Sequence, residues 1–396
     1  MSSGEDTVLS VPSLTDEATA ADPLAPDRLD AITYRLIALG FILLTLTIIT
    51  GAAWAQYTWH KWWSWDPKET SALVAWLVYL VYLHGRLLGW RKPLVAWIAV
   101  LGAFGVVFCY AGVNFLGGMH SYGATTQNVL EGARHAFTGM QTTEAGLAMA
   151  FLACYLAGFM LYLATAVFSG VLSVGRPTES SPPVRNRRLV SVLLLLPGAL
   201  PTLAGFILHT IALVYRSVLI YHATHAVHLP FSSGYEYAAC FAWAMALVFL
   251  ILQLRIPTPV LGAAAMPFIL LVLAYGFLWF GNKGVEGLPP ALQNRFWLHL
   301  HVAIAIVSYA ALIIATATSA IYLVRSMAAM DARARWILVA WVLASGGIAV
   351  LGVGVAAVVS VVTGNVAAGV HVLGGSLFGA VGGFIVSQMV TEARRR

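Results

Sequence analysis

Charge is what this sequence has least of. Asp, Glu, Lys and Arg make up 10% of its 396 residues, whereas soluble globular chains carry about a quarter. Hydrophobic residues reach 60% and the mean hydropathy is +0.83. A soluble enzyme, a disordered protein and a nucleic-acid-binding domain are thereby excluded as the main reading, and the net charge of +6 does not point to nucleic acid. Cysteine is also scarce. Cys109, Cys154 and Cys240 all lie inside apolar runs and none forms a C-x-x-C pair, so neither a disulfide framework nor a zinc site is indicated. Phosphate-binding G-x-x-x-x-G-K-[ST], dinucleotide-binding G-x-G-x-x-G and the G-x-S-x-G nucleophile elbow are missing. So are the regularly spaced histidine pairs of quinol-oxidising bundles.

Long apolar runs are present instead. Ten segments are long enough to cross about 30 Å of hydrocarbon as helix: 32–53, 71–89, 93–113, 144–171, 189–215, 235–254, 258–280, 298–325, 336–362 and 366–391. The expected fold is an all-α polytopic membrane bundle, with the lipid bilayer as its surroundings. Residues 1–30 are polar and acidic, with no basic region ahead of a short apolar core; they are expected to be a disordered cytoplasmic tail rather than a signal peptide. A four-helix block (31–171), a cytoplasmic linker (172–188) and a six-helix block (189–396) follow. With the N-terminus inside, 16 of the 22 Lys and Arg residues fall on one side. That asymmetry places both termini in the cytoplasm of a cell membrane.

On this topology the outer face carries loops at about 54–70, 114–143, 216–234, 281–297 and 363–365. The first holds Trp54, Trp59, Trp62, Trp63 and Trp65, five Trp in twelve residues, and runs on into Asp66-Pro67-Lys68-Glu69-Thr70. Trp favours the headgroup region, but an interfacial belt is spread over many helix ends. Concentration in one loop reads better as a π-rich platform for a planar apolar ligand. The Asp-Pro-Lys-Glu tail has the form of a helix start, with Pro67 fixing the turn.

Two histidines share that face. His120 lies in the second outer loop, and His301 follows the fourth. Either alone reads as a hydrogen-bonded structural residue. Together with the platform they read as axial ligands of a haem iron. His84 ends the second span and His209 lies within the fifth. Each is balanced between an ionisable functional residue in a span and an ordinary one, a snorkelling side chain for His84 and a helix–helix hydrogen bond for His209. His371 reads as structural; His60, His135 and His299 are uninformative singly. The spacing His222-x-x-His225-x-x-His228 invites a metal site, but only Glu236 is near enough in sequence to complete one, so this reading is weak.

At these residues the sequence resembles a known family. Trp-Ser-Trp-Asp-Pro-Lys-Glu-Thr (63–70) is similar to the WWD segment of haem-handling proteins, specifically of CcsA/ResC, a membrane component of the system II cytochrome c synthase. The segments 114–123 (NFLGGMHSYG), 208–236 (LHT…HLPFSSGYE) and 290–309 (PALQNRFWLHLHV…SY) agree with it. In that family the last two precede the WWD segment, whereas here they follow it, so the order resembles a circular permutation of two blocks with even numbers of spans. His60 stands where Gly is usual and Ser71 where Trp is usual.

The resemblance implies the roles that follow. His120 and His301 would be external axial ligands of haem b. Trp54, Trp59, Trp62, Trp63, Trp65 and Asp66 would hold the porphyrin, and His84 would receive haem within the membrane. His209 is kept with the cofactor-binding candidates. A CcsB/ResB-type subunit would supply a further transmembrane histidine, apocytochrome c the C-x-x-C-H thiols, and haem lyase activity would arise only in that complex. The alternatives are a CcmC-type delivery protein without bond formation and an inactive structural paralogue. The exchanged order places His301 beside the Trp platform in space.

Overall fold

The computed structural model describes residues 22–115, 142–168, 184–225, 229–231, 233–280 and 293–328. These contain eight helices long and apolar enough to cross a membrane and, among the described residues, no strand. They are α1 (Pro26–Trp59), α2 (Pro67–Leu87), α3 (Lys92–Tyr110), α4 (Thr142–Phe168), α5 (Val184–Thr224), α6 (Gly234–Arg255), α7 (Pro259–Tyr275) and α8 (Arg295–Ala328). The expected spans 336–362 and 366–391 lie outside the described residues.

Helix ends follow local chemistry rather than the limits of the apolar runs. α1 begins at Pro26, whose missing N–H costs nothing in a first turn, and stops where His60 turns left-handed (φ 57) and donates its N–H to Gln56 O. α6 starts where the Ser233 side chain accepts from Glu236 N, and α7 where Thr258 accepts from Val260 N. The helices therefore overrun the expected limits. Residues 26–30, read as tail, are helical. Residues 184–188, read as linker, open α5. Trp54 and Trp59 belong to α1 rather than to a loop, and Arg216 lies inside α5. An apolar run marks what a bilayer covers, not where backbone hydrogen bonding stops.

One packing motif occurs twice. Trp76 of α2 stacks on Phe41 of α1 (5.2 Å between ring centres) and donates its indole N–H to Thr45 Oγ1 at 2.8 Å. Trp243 of α6 stacks on Phe206 of α5 (5.4 Å) and donates to Thr210 Oγ1 at 2.8 Å. The second trio follows the first by about 165 residues. The helices after them, α3 and α7, end at Tyr110 and Tyr275 about the same interval apart, and those two rings meet at 5.5 Å. So α1–α3 and α5–α7 are repeats of one unit.

The fourth helices are exchanged between the units. α8 packs along α1 and α3, whereas α4 packs along α5 and α7. Both seams are antiparallel and close. Along α1–α8, Thr33 Oγ1 meets Thr318 Oγ1 at 2.7 Å, and Ser308 Oγ donates to Gly40 O at 2.9 Å. A Cβ on Gly40 would sit 2.6 Å from the Leu312 side chain. Along α4–α5, Gly205 meets Tyr155 and Cys154 in the equivalent place. Small residues that let backbones approach, joined by hydroxyl hydrogen bonds, are what holds helices together in lipid. α8 is the central helix, buried without a break from Ser308 to Ser319.

The two ends of the bundle differ. One carries Arg86–Asp30, Lys92–Asp27 (2.6 Å) and Arg325–Asp22 (2.8 Å) ion pairs and the Arg28 Nη2 bond to Arg255 O. The other carries the Trp-rich turn, the ends of α1, α3 and α5, and the starts of α4, α6 and α8.

The α1–α8 seam is open to a direct check. A Thr33→Cys, Thr318→Cys double variant should form an intramolecular disulfide on mild oxidation, read as a reduction-sensitive gel shift. Cross-linking no greater than in either single variant would contradict the exchanged packing.

Candidate functional site

The site is built where α1 ends, α2 begins and α8 begins. Between α1 and α2 only residues 60–66 are non-helical. Two non-glycine residues there, His60 (φ 57) and Trp65 (φ 58), take left-handed backbone. The turn is held by Glu69, which the sequence reading did not single out. Its Oε2 accepts from Ser64 N (2.8 Å), Ser64 Oγ (3.1 Å) and Asp66 N (3.3 Å). Asp66 Oδ1 accepts from Lys68 N at 3.0 Å, and the Asp66 side chain accepts in return from Glu69 N, completing a capping box at the head of α2. Asp66 is buried, so its carboxylate fixes the turn rather than facing out from it.

That turn sets the tryptophans. Trp62 and Trp65 are 62% and 57% exposed, a large apolar area left open. Trp63 packs edge-on against Trp65 at 5.9 Å, and its buried Nε1 has no hydrogen-bond partner among the described residues. Trp54 and Trp59 lie half-buried on the last turns of α1.

α8 brings His301 to the same place. Its ring meets Trp54 edge-on at 5.6 Å, and Nδ1 lies 3.1 Å from Thr50 Oγ1. The expectation that His301 would flank the platform in space matches this placement. Two residues of α1 make it work. Gly51 gives the ring its room, since a Cβ there would sit 2.9 Å from His301 Cε1. Thr50 fixes the ring's orientation through Nδ1, as an outer partner does for a ligating histidine. Neither was flagged from sequence; a hydroxyl and a glycine two to five residues before a Trp cluster are too common to signal. Asn294 caps α8 by accepting from Trp297 N at 3.3 Å, and His299 Nε2 accepts from Leu229 N at 3.2 Å.

The other candidates are dispersed. His120 and His228 lie outside the described residues. His84 sits at the far end of α2, about 26 Å along the helix from Pro67. It is exposed on the bundle's flank, with Nδ1 2.9 Å from Leu80 O. His209 is fully buried between α4 and α5, stacked on Phe151 at 4.2 Å, with Nδ1 3.3 Å from Tyr155 Oη. The void beside it is only about 10 Å³, room for one water. A porphyrin does not fit there, so the expected part of His209 in cofactor binding is not supported by its surroundings. Among the described residues no three His, Cys, Asp or Glu side chains meet as a metal site; the 222–228 reading includes His228 and so lies partly outside them.

Two variants test how the turn is held. Glu69→Ala removes three hydrogen bonds to a carboxylate and should lower stability by about 2 kcal/mol, seen as an earlier thermal unfolding transition with altered Trp fluorescence. His60→Gly relieves a left-handed non-glycine residue and should leave stability unchanged or raise it by about 1 kcal/mol. A drop with His60→Gly would show the imidazole itself to be needed.

The family model described as Cytochrome C assembly protein matches residues 18–120. The Cytochrome c biogenesis protein CcsA of Synechococcus sp. (strain RCC307) is 55% identical over 115 residues, 28% of this chain and 37% of that protein. CcsA of Picosynechococcus sp. (strain ATCC 27264 / PCC 7002 / PR-6) is 50% identical over 130 residues, 31% of this chain and 38% of that protein. CcsA of Cyanophora paradoxa is 55% identical over 98 residues, 24% of this chain and 30% of that protein. The chain thus spans about a third of the length of the curated relatives it matches. No solved structure matches. Over residues 18–120, a stretch that includes α1, the Trp-rich turn, α2 and α3, the family model of cytochrome c assembly proteins matches this chain, which is similar over part of its length to cytochrome c biogenesis proteins named CcsA.

Proposed function

We propose that the chain holds haem b at its Trp-rich end and presents it for attachment to the C-x-x-C-H motif of an apocytochrome c, in a complex with a CcsB/ResB-type subunit. One observation carries the reading. His301 comes from the far end of the described chain, yet its ring meets Trp54 and its Nδ1 lies against Thr50, at the end of α1 that leads into the turn with the exposed rings of Trp62 and Trp65. An imidazole next to flat apolar surface suits a planar iron macrocycle.

The work of the chain's own residues follows from that arrangement. Burial of the Trp62 and Trp65 faces against a porphyrin would supply much of the affinity, because each ring has apolar area still in contact with solvent. His301, with Nδ1 engaged by Thr50, would give its other nitrogen to iron. His120 is proposed as the opposing ligand. Lys61, exposed in the turn, is available to a propionate. Asp66 and Glu69 act indirectly, by keeping the turn in the shape that displays the tryptophans. The thiols that add to the vinyl groups belong to the apocytochrome; Cys109 and Cys240 are buried here and take no part. His84, exposed on the flank at the opposite end, is placed to meet a histidine of a partner subunit rather than one of this chain. It is proposed as the point where haem enters, on the cytoplasmic side.

A permuted order of the two blocks is part of the same proposal. An alignment that runs in sequence order can follow only one of two exchanged blocks, which accords with a family-model match over residues 18–120. The ends to be rejoined are also adjacent, since Arg325 at the end of α8 pairs with Asp22 just before α1.

The test is the absorption spectrum of the full chain, purified in detergent from cells making ample haem. A six-coordinate bis-imidazole b-type spectrum is expected, abolished in a His120→Ala, His301→Ala double variant. Thr50→Val should keep the haem but weaken retention several-fold. A colourless wild-type protein would remove the basis for the proposal.

A further inference from the structure

The second unit carries at the same end something quite different from the first. Where Gly51 lies against His301 in α1–α8, Arg216 lies against Glu144 in α4–α5. Arg216 Nε donates to Glu236 Oε1 at 2.8 Å and Nη1 to Glu144 Oε1 at 3.2 Å. All three side chains are buried, at 4%, 2% and 4% exposure for Arg216, Glu236 and Glu144. Ionisable groups inside a membrane bundle are costly and mark function by default. Nothing in the haem site uses these.

Behind them lies the small cavity already noted. It is lined by Glu144, Arg216, Glu236, Tyr235, Phe151 and His209 together with small Ala residues, and its void is about 10 Å³. His209 stands two turns of α5 from Arg216 on the same face, 0% exposed. One side of its ring is covered by Phe151, and Nδ1 is turned to Tyr155. Its Nε2 is buried with no hydrogen-bond partner among the described residues. So the cavity is lined by an imidazole whose Nε2 has no partner among the described residues and by two carboxylates, and its void is about the size of one water. A buried water needs two to four polar partners, and these groups supply them.

We propose that the cavity is a binding site for a single water molecule that joins His209 Nε2 to the carboxylates of Glu144 and Glu236, and that the four groups form a proton-exchange site within the membrane-spanning bundle. The water donates an O–H to Nε2, and Nδ1–H donates to Tyr155 Oη. When a carboxyl group takes a proton from the aqueous side, its O–H bond breaks toward the water. The water accepts that proton and passes another to Nε2. The carboxylate is restored, an imidazolium forms, and no electron moves. The groups that face His209 are Glu144 and Tyr155 from α4, Arg216 on α5, and Tyr235 and Glu236 from α6. Phe277, beyond α7, contributes only an apolar edge. The site does not depend on the haem reading.

The test uses the full chain in lipid bilayers with ring-15N histidine and magic-angle-spinning NMR, His209→Phe assigning the resonance. A water-to-Nε2 cross-peak is expected, and it should be lost in Ala239→Leu, which fills the cavity. Ala148→Leu fills it from α4 if the first variant does not fold. The Nε2 shift should move as pH is lowered, with a midpoint displaced to lower pH in Glu144→Gln, because the imidazolium loses an anion. Glu236→Gln is the alternative where Glu144→Gln is unstable. A resolved His209 resonance without a water cross-peak would overturn the bound water. A shift that stays constant with pH, or a midpoint the same in the Gln variants, would overturn the proton exchange. Since no haem is involved, either failure is separate from failure of the spectrum above.

Discussion

Inside hydrocarbon no hydrophobic force drives one helix onto another, because lipid tails are as apolar as the side chains they would displace. Position must come from close backbone approach and from hydrogen bonds that water cannot contest. The seam between α1 and α8 shows both at once. Thr33 meets Thr318, Ser308 donates to the carbonyl of Gly40, and Gly40 and Gly51 leave room for Leu312 and His301. This contact carries the last described helix back to the first. The juxtaposition of His301 and Trp54 is its direct consequence. Without it the imidazole and the aromatic platform would be separate features of a long chain.

The repeat explains why the two halves look alike in packing and differ in chemistry. The Phe–Trp–Thr contact is kept in both, since it fixes the first two helices of each unit against each other. Diversity is confined to the end where the fourth helix arrives. There a glycine in one unit and an arginine in the other decide what the facing residue can do. Gly51 makes room for a partly exposed imidazole against Trp54; Arg216 yields a buried ion-pair cluster. A buried pair of this kind contributes little net stability. Its persistence in a membrane therefore calls for a reason beyond holding helices together.

Much of this was legible in the sequence, and the failures have physical causes. Eight of the ten apolar runs correspond to described helices because hydropathy reports the bilayer constraint directly. The Asp-Pro-Lys-Glu helix start was readable, since a capping box is local. The Trp cluster stood out by density alone. The approach of His301 to Trp54 could not be read from spacing; it followed from the family resemblance and the even number of spans in each block. Arg216 was misplaced into a loop because the apolar run of the fifth span ends at residue 215, while the helix continues to Thr224. That error hid its pairing with Glu144 and Glu236. The repeat was missed because only a few residues carry it, Phe and Thr four apart with a Trp some thirty residues on. Such a pattern becomes visible only when the contacts are seen twice.

Exchange of the fourth helices bears on the proposed exchange of block order. Each unit is completed by a helix from the other, so neither four-helix block packs as a closed body without its partner. The order in which the blocks are joined then matters little, provided the joining ends lie on one side and near each other. The Arg325–Asp22 ion pair shows that the end of α8 and the approach to α1 meet this condition. The same interlocking joins the elements that carry the two sites into one packed set of helices. α8, which carries His301, is packed against α6 as well as α1 and α3, and α6 carries Glu236 and stacks on α5. The two sites are thus linked by packed helices rather than by any ligand they share.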